Sequence, residues 1–258
     1  MSSLPTFSLR TSPYMPPVVN QGSALQTCVP CAVTNAIKFY DNRNGIIRDY
    51  RSRIYIFYYS RILDKTPGQN VGVTMPSVST SISNYGISSE SLTPYPNITI
   101  PDQVQLNIAN TAPSRPAYAD AKKNTFVKFK VVSTDLRSIK DILAVKKYPI
   151  VCVIRVFTVP ITPGSKTYVK SLTYAQTNGG NIPYPGTCYL RPGVTDPTFK
   201  ACYLKDGHCL LIVGWDDVRK VFIVQNSYGM AWGNGGYGTI PYAYITNANL
   251  ASRLYAMY

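Results

Sequence analysis

The hydrophobic pattern of this 258-residue chain changes period once, near residue 125, and that change limits the fold more than any other feature. In "CVPCAVTNAIKFYDN" (28–42), Val29, Ala32, Val33, Ala36, Ile37 and Tyr40 follow the 3.6-residue repeat of a helix, and "DNRNG" supplies the stop. "YRSRIYIFYYSRILD" (50–64) predicts a second helix, although its aromatic run would also suit a strand. "TMPSVSTSISNYG" (74–86) predicts a third, ended by Gly86. Residues 94–120, dense in Pro and Asn, read as a loop crossing between lobes. Beyond them "FVKFKVVS" (126–133) is strand-like, and 134–147 is an amphipathic helix capped by Thr134 or Asp135. "YPIVCVIRVF" (148–157) is a buried strand. Three segments, 208–217, 220–227 and 236–245, then alternate with turn signals as an antiparallel sheet does. A helical front half and a β rear half predict an α+β protein of two lobes, with ligands in the cleft between them.

Composition excludes several classes. With 45% hydrophobic and 12% aromatic residues the chain can bury a sizeable core. No apolar run approaches the roughly 18 residues of a membrane span. The start, "MSSLPTFSLRTSPYMPP", lacks the basic and apolar stretches of a signal peptide. A cytoplasmic or virion-associated protein is therefore expected ahead of a secreted or lysosomal one. The net charge of +14 reads first as a solvated basic surface. Acidic partners or nucleic acid, and a membrane surface, are the competing readings, with "KKNTFVKFK" (122–130) the longest basic cluster.

Six cysteines are too few for a disulfide scaffold of this size. Cys152 and Cys209 sit in strand-like apolar runs and read as core residues. Cys188 and Cys202 bracket a loop and are the candidate bridge. "TCVPCAV" (27–33) leaves three chemistries open. A zinc site would want a second close pair of ligands, which is missing. A redox pair would want a strand directly ahead, where a Pro/Gln/Gly-rich loop stands instead. A nucleophile needs a base, and the chain's one histidine, His208 in "DGHCLLIVGWDD", opens a strand. Asn226 ends the next strand at a Gly-rich turn. A hairpin would bring the two side by side, so that the amide oxygen accepts from one ring nitrogen and sets the tautomer of the other. Neither metal nor cofactor is expected.

Three segments in order resemble the papain-like cysteine peptidases: "NQGSALQTCVPCAV", "GHCLLIVGW" and "QNSYGMAWGNGGYG". Between them, "VGVTMPSVSTSISNYGISSESLTPYP" is similar to the family's substrate-binding glycine turn and the helix after it. The "IYIFYYSR" helix and the tail look closest to the microbial and viral branch. The resemblance implies one papain-like domain over 1–258, with a helical lobe at about 20–120. The remainder, with the N-terminal segment, would form a β-sheet or barrel lobe. It also implies a peptide-bond hydrolase that works through an acyl-enzyme on peptide or protein substrates.

Roles follow residue by residue. Cys28 matches the nucleophile at a helix N-terminus, where the dipole favours thiolate. His208 matches its proton partner, and Asn226 the residue that orients the imidazole. Gln21 matches the oxyanion-hole side chain. Gly72 matches a glycine that pairs with the peptide backbone, Val73 lies in "GVTMP" beside the main specificity pocket, and Trp232 matches a tryptophan near the leaving group. Cys31 falls where the family has an apolar residue, which makes it a buried filler. The chain departs from the family at several points: six residues separate Gln21 from Cys28, one more than the family spacing, "LQT" precedes the nucleophile, Val29 follows it, and Tyr228 stands for the tryptophan that shields the Asn–His hydrogen bond. The match starts within the first ten or so residues, so control is expected from elsewhere unless a prosegment has been cut away. The departures keep alive a second reading, a weak or inactive papain-like scaffold with a binding or virion role. A transferase using the same acyl-enzyme is a third. "NIT" (97–99) reads as a bare loop ahead of a glycosylation acceptor.

Overall fold

A computed structural model describes residues 5–124, 128–161, 167–185 and 203–258, with the side chains of 203–205 left aside. The long helix α1 (Cys28–Arg43) is the axis of the molecule. Every residue from Cys28 to Ile37 is buried. A helix covered all round must lie between other layers, and α1 packs on α2 (Arg53–Leu63) and α3 (Met75–Tyr85) on one side and on strands β3 (Ile150–Pro160) and β5 (Tyr203–Asp216) on the other.

The three helices expected in the front half all form. The aromatic run of α2 is helical because Ser52 caps it, accepting the Tyr55 N–H at 3.0 Å, and because its rings stack sideways, Tyr59 on Tyr85 at 4.2 Å. Thr74 and Ser77 form a capping box at the head of α3. Gly86 ends α3 at φ +74°, where an added Cβ would stand 1.8 Å from the Ala121 carbonyl oxygen. The expected crossing loop at 94–120 is corrected: it contains α4 (Asp102–Asn110) and α5 (Arg115–Lys122). Pro101 and Pro116, read as loop formers, stand at the helix starts, where a missing N–H costs nothing.

The rear half is an eight-stranded sheet. It adds β1 (Thr6–Ser8), β2 (Lys130–Val132), β4 (Tyr168–Lys170), β6 (Val221–Gln225), β7 (Tyr237–Pro241) and β8 (Ala251–Ala256) to β3 and β5. The main order is β2-β8-β3-β5-β6-β7, with β1 on β5 and β4 on β3. All the pairings are antiparallel. Among the described residues β2 and β7 end this path, so the sheet is open and not a barrel. The expected strand at 126–133 is short here, with residues 125–127 outside the described set. The helix expected over 134–147 is capped by Asp135 at 2.8 Å but changes to a π-helix at Asp141 and ends at Lys147 with φ 58°. The expected strand at 236–245 stops at Pro241, and Tyr242–Ile245 is a helical turn. β8, not anticipated, fills the place between β2 and β3. Asn97 is exposed, and its Oδ1 accepts the Thr99 N–H at 3.0 Å.

Arg61 ties the front lobe's wall together. It is 1% exposed, and its guanidinium donates to the carbonyls of Gln69 (3.0 Å) and Ala109 (2.6 Å) and to Asn110 Oδ1 (2.7 Å). Asn70, next in chain, bridges to the loop before Cys28: its Oδ1 accepts the Gln26 N–H at 3.2 Å and its Nδ2 donates to Ala24 at 2.6 Å. Arg61→Ala leaves the buried Ala109 carbonyl unpaired, and the expected loss is about 2 kcal/mol, read as a lower urea midpoint with an unchanged slope.

Candidate active site

Cys28 is the first residue of α1, and Thr27 provides no side-chain cap there. The residue is 8% exposed, and its thiol takes a hydrogen bond from the backbone N–H of Cys209 on β5. This contact puts the head of α1 against the strand residue next to His208. The Cα of His208 pairs with Ile154 on β3, so the ring's base is held in the middle of a ladder. Its Nε2 lies 2.7 Å from Asn226 Oδ1. Asn226 follows β6 and is fixed by its own backbone, whose N–H donates to the Gly236 carbonyl at 2.9 Å. Asn226 Oδ1 also accepts the Ser227 N–H at 2.8 Å.

Gln21 is stitched to the rear lobe. Its N–H donates to the Ser227 carbonyl at 2.8 Å, its Oε1 accepts from Ser227 Oγ at 2.6 Å, and its carbonyl accepts from Tyr95 Oη at 2.9 Å. The amide donor Nε2 rests on the Leu25 carbonyl at 3.3 Å. Gly22 turns the chain at φ +66°, a conformation glycine adopts without strain. The extra residue between Gln21 and Cys28 is thus absorbed in a loop closed by Gln21's own amide.

Gln21, Cys28, Asp206, Gly207, His208 and Tyr228 line one open cleft of about 330 Å³, with Val156, Lys170 and Leu172 on its rear wall. Gly72 lies exposed in the segment before α3, and a side chain there would meet nothing within 4 Å. Val73 is buried. Trp232 is 1% exposed and donates from Nε1 to the Leu172 carbonyl at 3.0 Å, so it stands behind the cleft wall. Sequence reasoning missed Lys170 and Leu172, which come from β4 and α7 (Ser171–Thr177). Lys170 pairs with Asp206 at 2.8 Å across a separation of 36 residues, which no local pattern announces. Asp206 was visible beside His208 but carried no signal of its own.

Cys31 is fully buried, its sulfur 3.9 Å from Thr27 Oγ1, and burial pushes its thiol up to about 12. Cys152 and Cys209 are buried in β3 and β5. Cys188 and Cys202 lie outside the described residues. Among the described residues no group of three His, Cys, Asp or Glu side chains could hold a metal ion.

Burial acts on Cys28 and His208 in the same sense, against charge. It pushes the Cys28 thiol up to about 11, with the N–H groups of Cys209 and Val29 pulling the other way. It pulls the His208 imidazole down to about 4, with Asn226 and Asp206 opposing. A histidine protonating near 4 when folded and near 6.5 when unfolded binds fewer protons in the native state between those values. Stability is therefore full above about pH 6.5 and is lost as the pH falls towards 4, by about 3 kcal/mol at most. The urea midpoint of His208→Gln should lack this component, as a difference from the unsubstituted protein across pH 4–7.

Comparisons with known proteins agree with this geometry. The family model for papain family cysteine proteases matches residues 187–257. An uncharacterized peptidase C1-like protein of Acanthamoeba polyphaga mimivirus is 27% identical over 254 residues, which covers 95% of this chain and 72% of that one. The crystal structure of xylellain, a cysteine protease from Xylella fastidiosa, superposes with a TM-score of 0.75 at 25% identity, over 98% of this chain and 85% of the other. A cysteine protease of Carica candamarcensis, solved with E-64 bound, superposes with a TM-score of 0.62 at 17% identity over 98% of both chains, which shows the shared fold. Helical and sheet lobes joined along α1, a family match over the histidine and asparagine strands, and a relative along nearly the whole chain lead to one conclusion: the chain has the fold of the papain-like cysteine peptidases and is similar to them in sequence.

Proposed function

We propose that the protein is a thiol endopeptidase acting through Cys28, His208 and Asn226. The observation that carries the reading is the 2.7 Å contact of His208 Nε2 with Asn226 Oδ1, which leaves Nδ1 as the lone pair of a base lining the same cleft as Cys28. In the reaction the Cys28 S–H proton moves to Nδ1, and the sulfur attacks the peptide carbonyl carbon. The imidazolium protonates the departing amine, and water then hydrolyses the acyl-enzyme. Burial opposes each charge taken singly, so thiolate and imidazolium have to form together, each offsetting the other's desolvation.

The Cys28 N–H and the Gln21 amide are the oxyanion donors in this reading. Gln21 Nε2 must then leave the Leu25 carbonyl when substrate enters. The open backbone at Gly72 would pair with the peptide as an added strand, and Val73 would help line an apolar pocket for the residue two before the cut. Trp232 would act through Leu172, by holding the leaving-group wall in place. Among the described residues no helix is long and apolar enough to cross a membrane. A mimivirus relative is consistent with a virion-associated setting.

A peptide epoxide should modify Cys28 in the folded protein and leave the buried Cys31, Cys152 and Cys209 untouched, as peptide mapping would show. Modification of other thiols with Cys28 intact would instead favour a binding scaffold. Against a peptide library, Cys28→Ala should abolish turnover. Gln21→Ala should lower kcat about a hundredfold with little change in KM.

A further inference from the structure

Tyr228 stands where its hydroxyl can interfere with the proton transfer itself. Its Oη is 3.4 Å from His208 Nδ1, and the two rings pack with centroids 4.8 Å apart at 41°. Backbone contacts on both sides hold the residue in place. Tyr228 bridges to Asn20, and the N–H of Gly229 donates to the Val19 carbonyl at 3.1 Å. Gly229 itself sits at φ +75°, with Asn20 2.9 Å from where a Cβ would stand.

The direction of the hydrogen bond follows from its neighbours. The Asn226 oxygen is identified by the Ser227 N–H it accepts at 2.8 Å, since an amide nitrogen could not accept it. That oxygen also faces His208 Nε2, so Nε2 must carry the proton. Nδ1 is then a bare lone pair, and of the two groups at 3.4 Å only the phenol has a hydrogen to give. We propose that Tyr228 is a positioning residue that latches the base: in the resting protein its hydroxyl donates to His208 Nδ1 and competes with the Cys28 thiol for the lone pair that must take the nucleophile's proton. Release is a turn of the phenol O–H away from Nδ1. The thiol proton can then cross to Nδ1, with the S–H bond breaking as the N–H bond forms.

Burial supports the resting state, keeping His208 down at about 4 and raising Tyr228 above the ordinary phenol value, so both are neutral at pH 7. The other titratable or charged groups that act on this pair are Cys28 on α1, Asp206 on β5 and Lys170 on β4. The latch rests on the peptidase reading of Cys28 and His208 and adds a control to it.

The chain has one histidine, so a ¹⁵N-histidine label reports His208 alone. In the unsubstituted protein the spectrum should show the Nε2–H tautomer, with Nδ1 shifted as a hydrogen-bond acceptor. In Tyr228→Phe, which keeps the packed ring, the Nδ1 resonance should move to the free-acceptor position and the His208 titration midpoint should rise. Iodoacetamide should then alkylate Cys28 about threefold faster at pH 7, the size expected for one long neutral hydrogen bond. An Nδ1–H tautomer in the unsubstituted protein overturns the latch even if the variant does not fold. So does a variant with the same midpoint and the same alkylation rate. In both cases epoxide labelling of Cys28 would still uphold the peptidase. If neither the epoxide nor iodoacetamide modifies Cys28, the peptidase reading falls and the latch with it.

Discussion

Docking the head of α1 onto β5 is the contact on which the rest depends. Ten successive buried residues, Cys28 to Ile37, leave that helix no solvent face, so both lobes have to close around it. The hydrogen bond from the Cys209 N–H to the Cys28 sulfur lies at the end of this interface, one residue from His208. The apolar burial that stabilises the fold therefore also sets the position of the thiol relative to the imidazole. It carries a chemical cost: the same burial raises the Cys28 pKa and lowers that of His208, so each group resists becoming charged on its own.

The polar contacts around the pair are arranged in layers. Asn226 holds the imidazole through its oxygen, and Ser227 holds both Asn226 and Gln21, one through its N–H and the other through its hydroxyl. Tyr95 closes the set by donating to Gln21's carbonyl and sharing a 2.6 Å contact with Thr27, the residue before Cys28. Front-lobe and rear-lobe parts of the site are thus linked through side chains 206 residues apart in sequence. The contacts among His208, Asn226, Ser227 and Gln21 are buried, so each is costly to leave half-made.

The helices and central strands were legible because their apolar periods are strong. Ser52, Thr74 and Asp135 cap where the sequence places helix starts, and β3 and β5 occupy the β-branched runs. The region 94–120 was misread because proline at a helix start and proline in a loop look alike without the chain around them. The strand β8 was missed because "ASRLYA" has little apolar alternation, and only its place between β2 and β3 makes it a strand.

The sequence by itself determined which chemistry is possible: one histidine, a cysteine at the head of an apolar helix, and an asparagine closing a strand, in an order that resembles the papain-like peptidases. Tertiary structure decided what the order leaves open. It turned Asn226's oxygen to Nε2, brought the Tyr228 hydroxyl to Nδ1, occupied Gln21's donor with Leu25, and set Lys170 and Leu172 in the cleft wall. The reason is geometric. Periodicity and capping act over a few residues, and a sequence records them directly. The long-range contacts of the site span 18 to 206 residues and exist only once α1 is enclosed between the lobes.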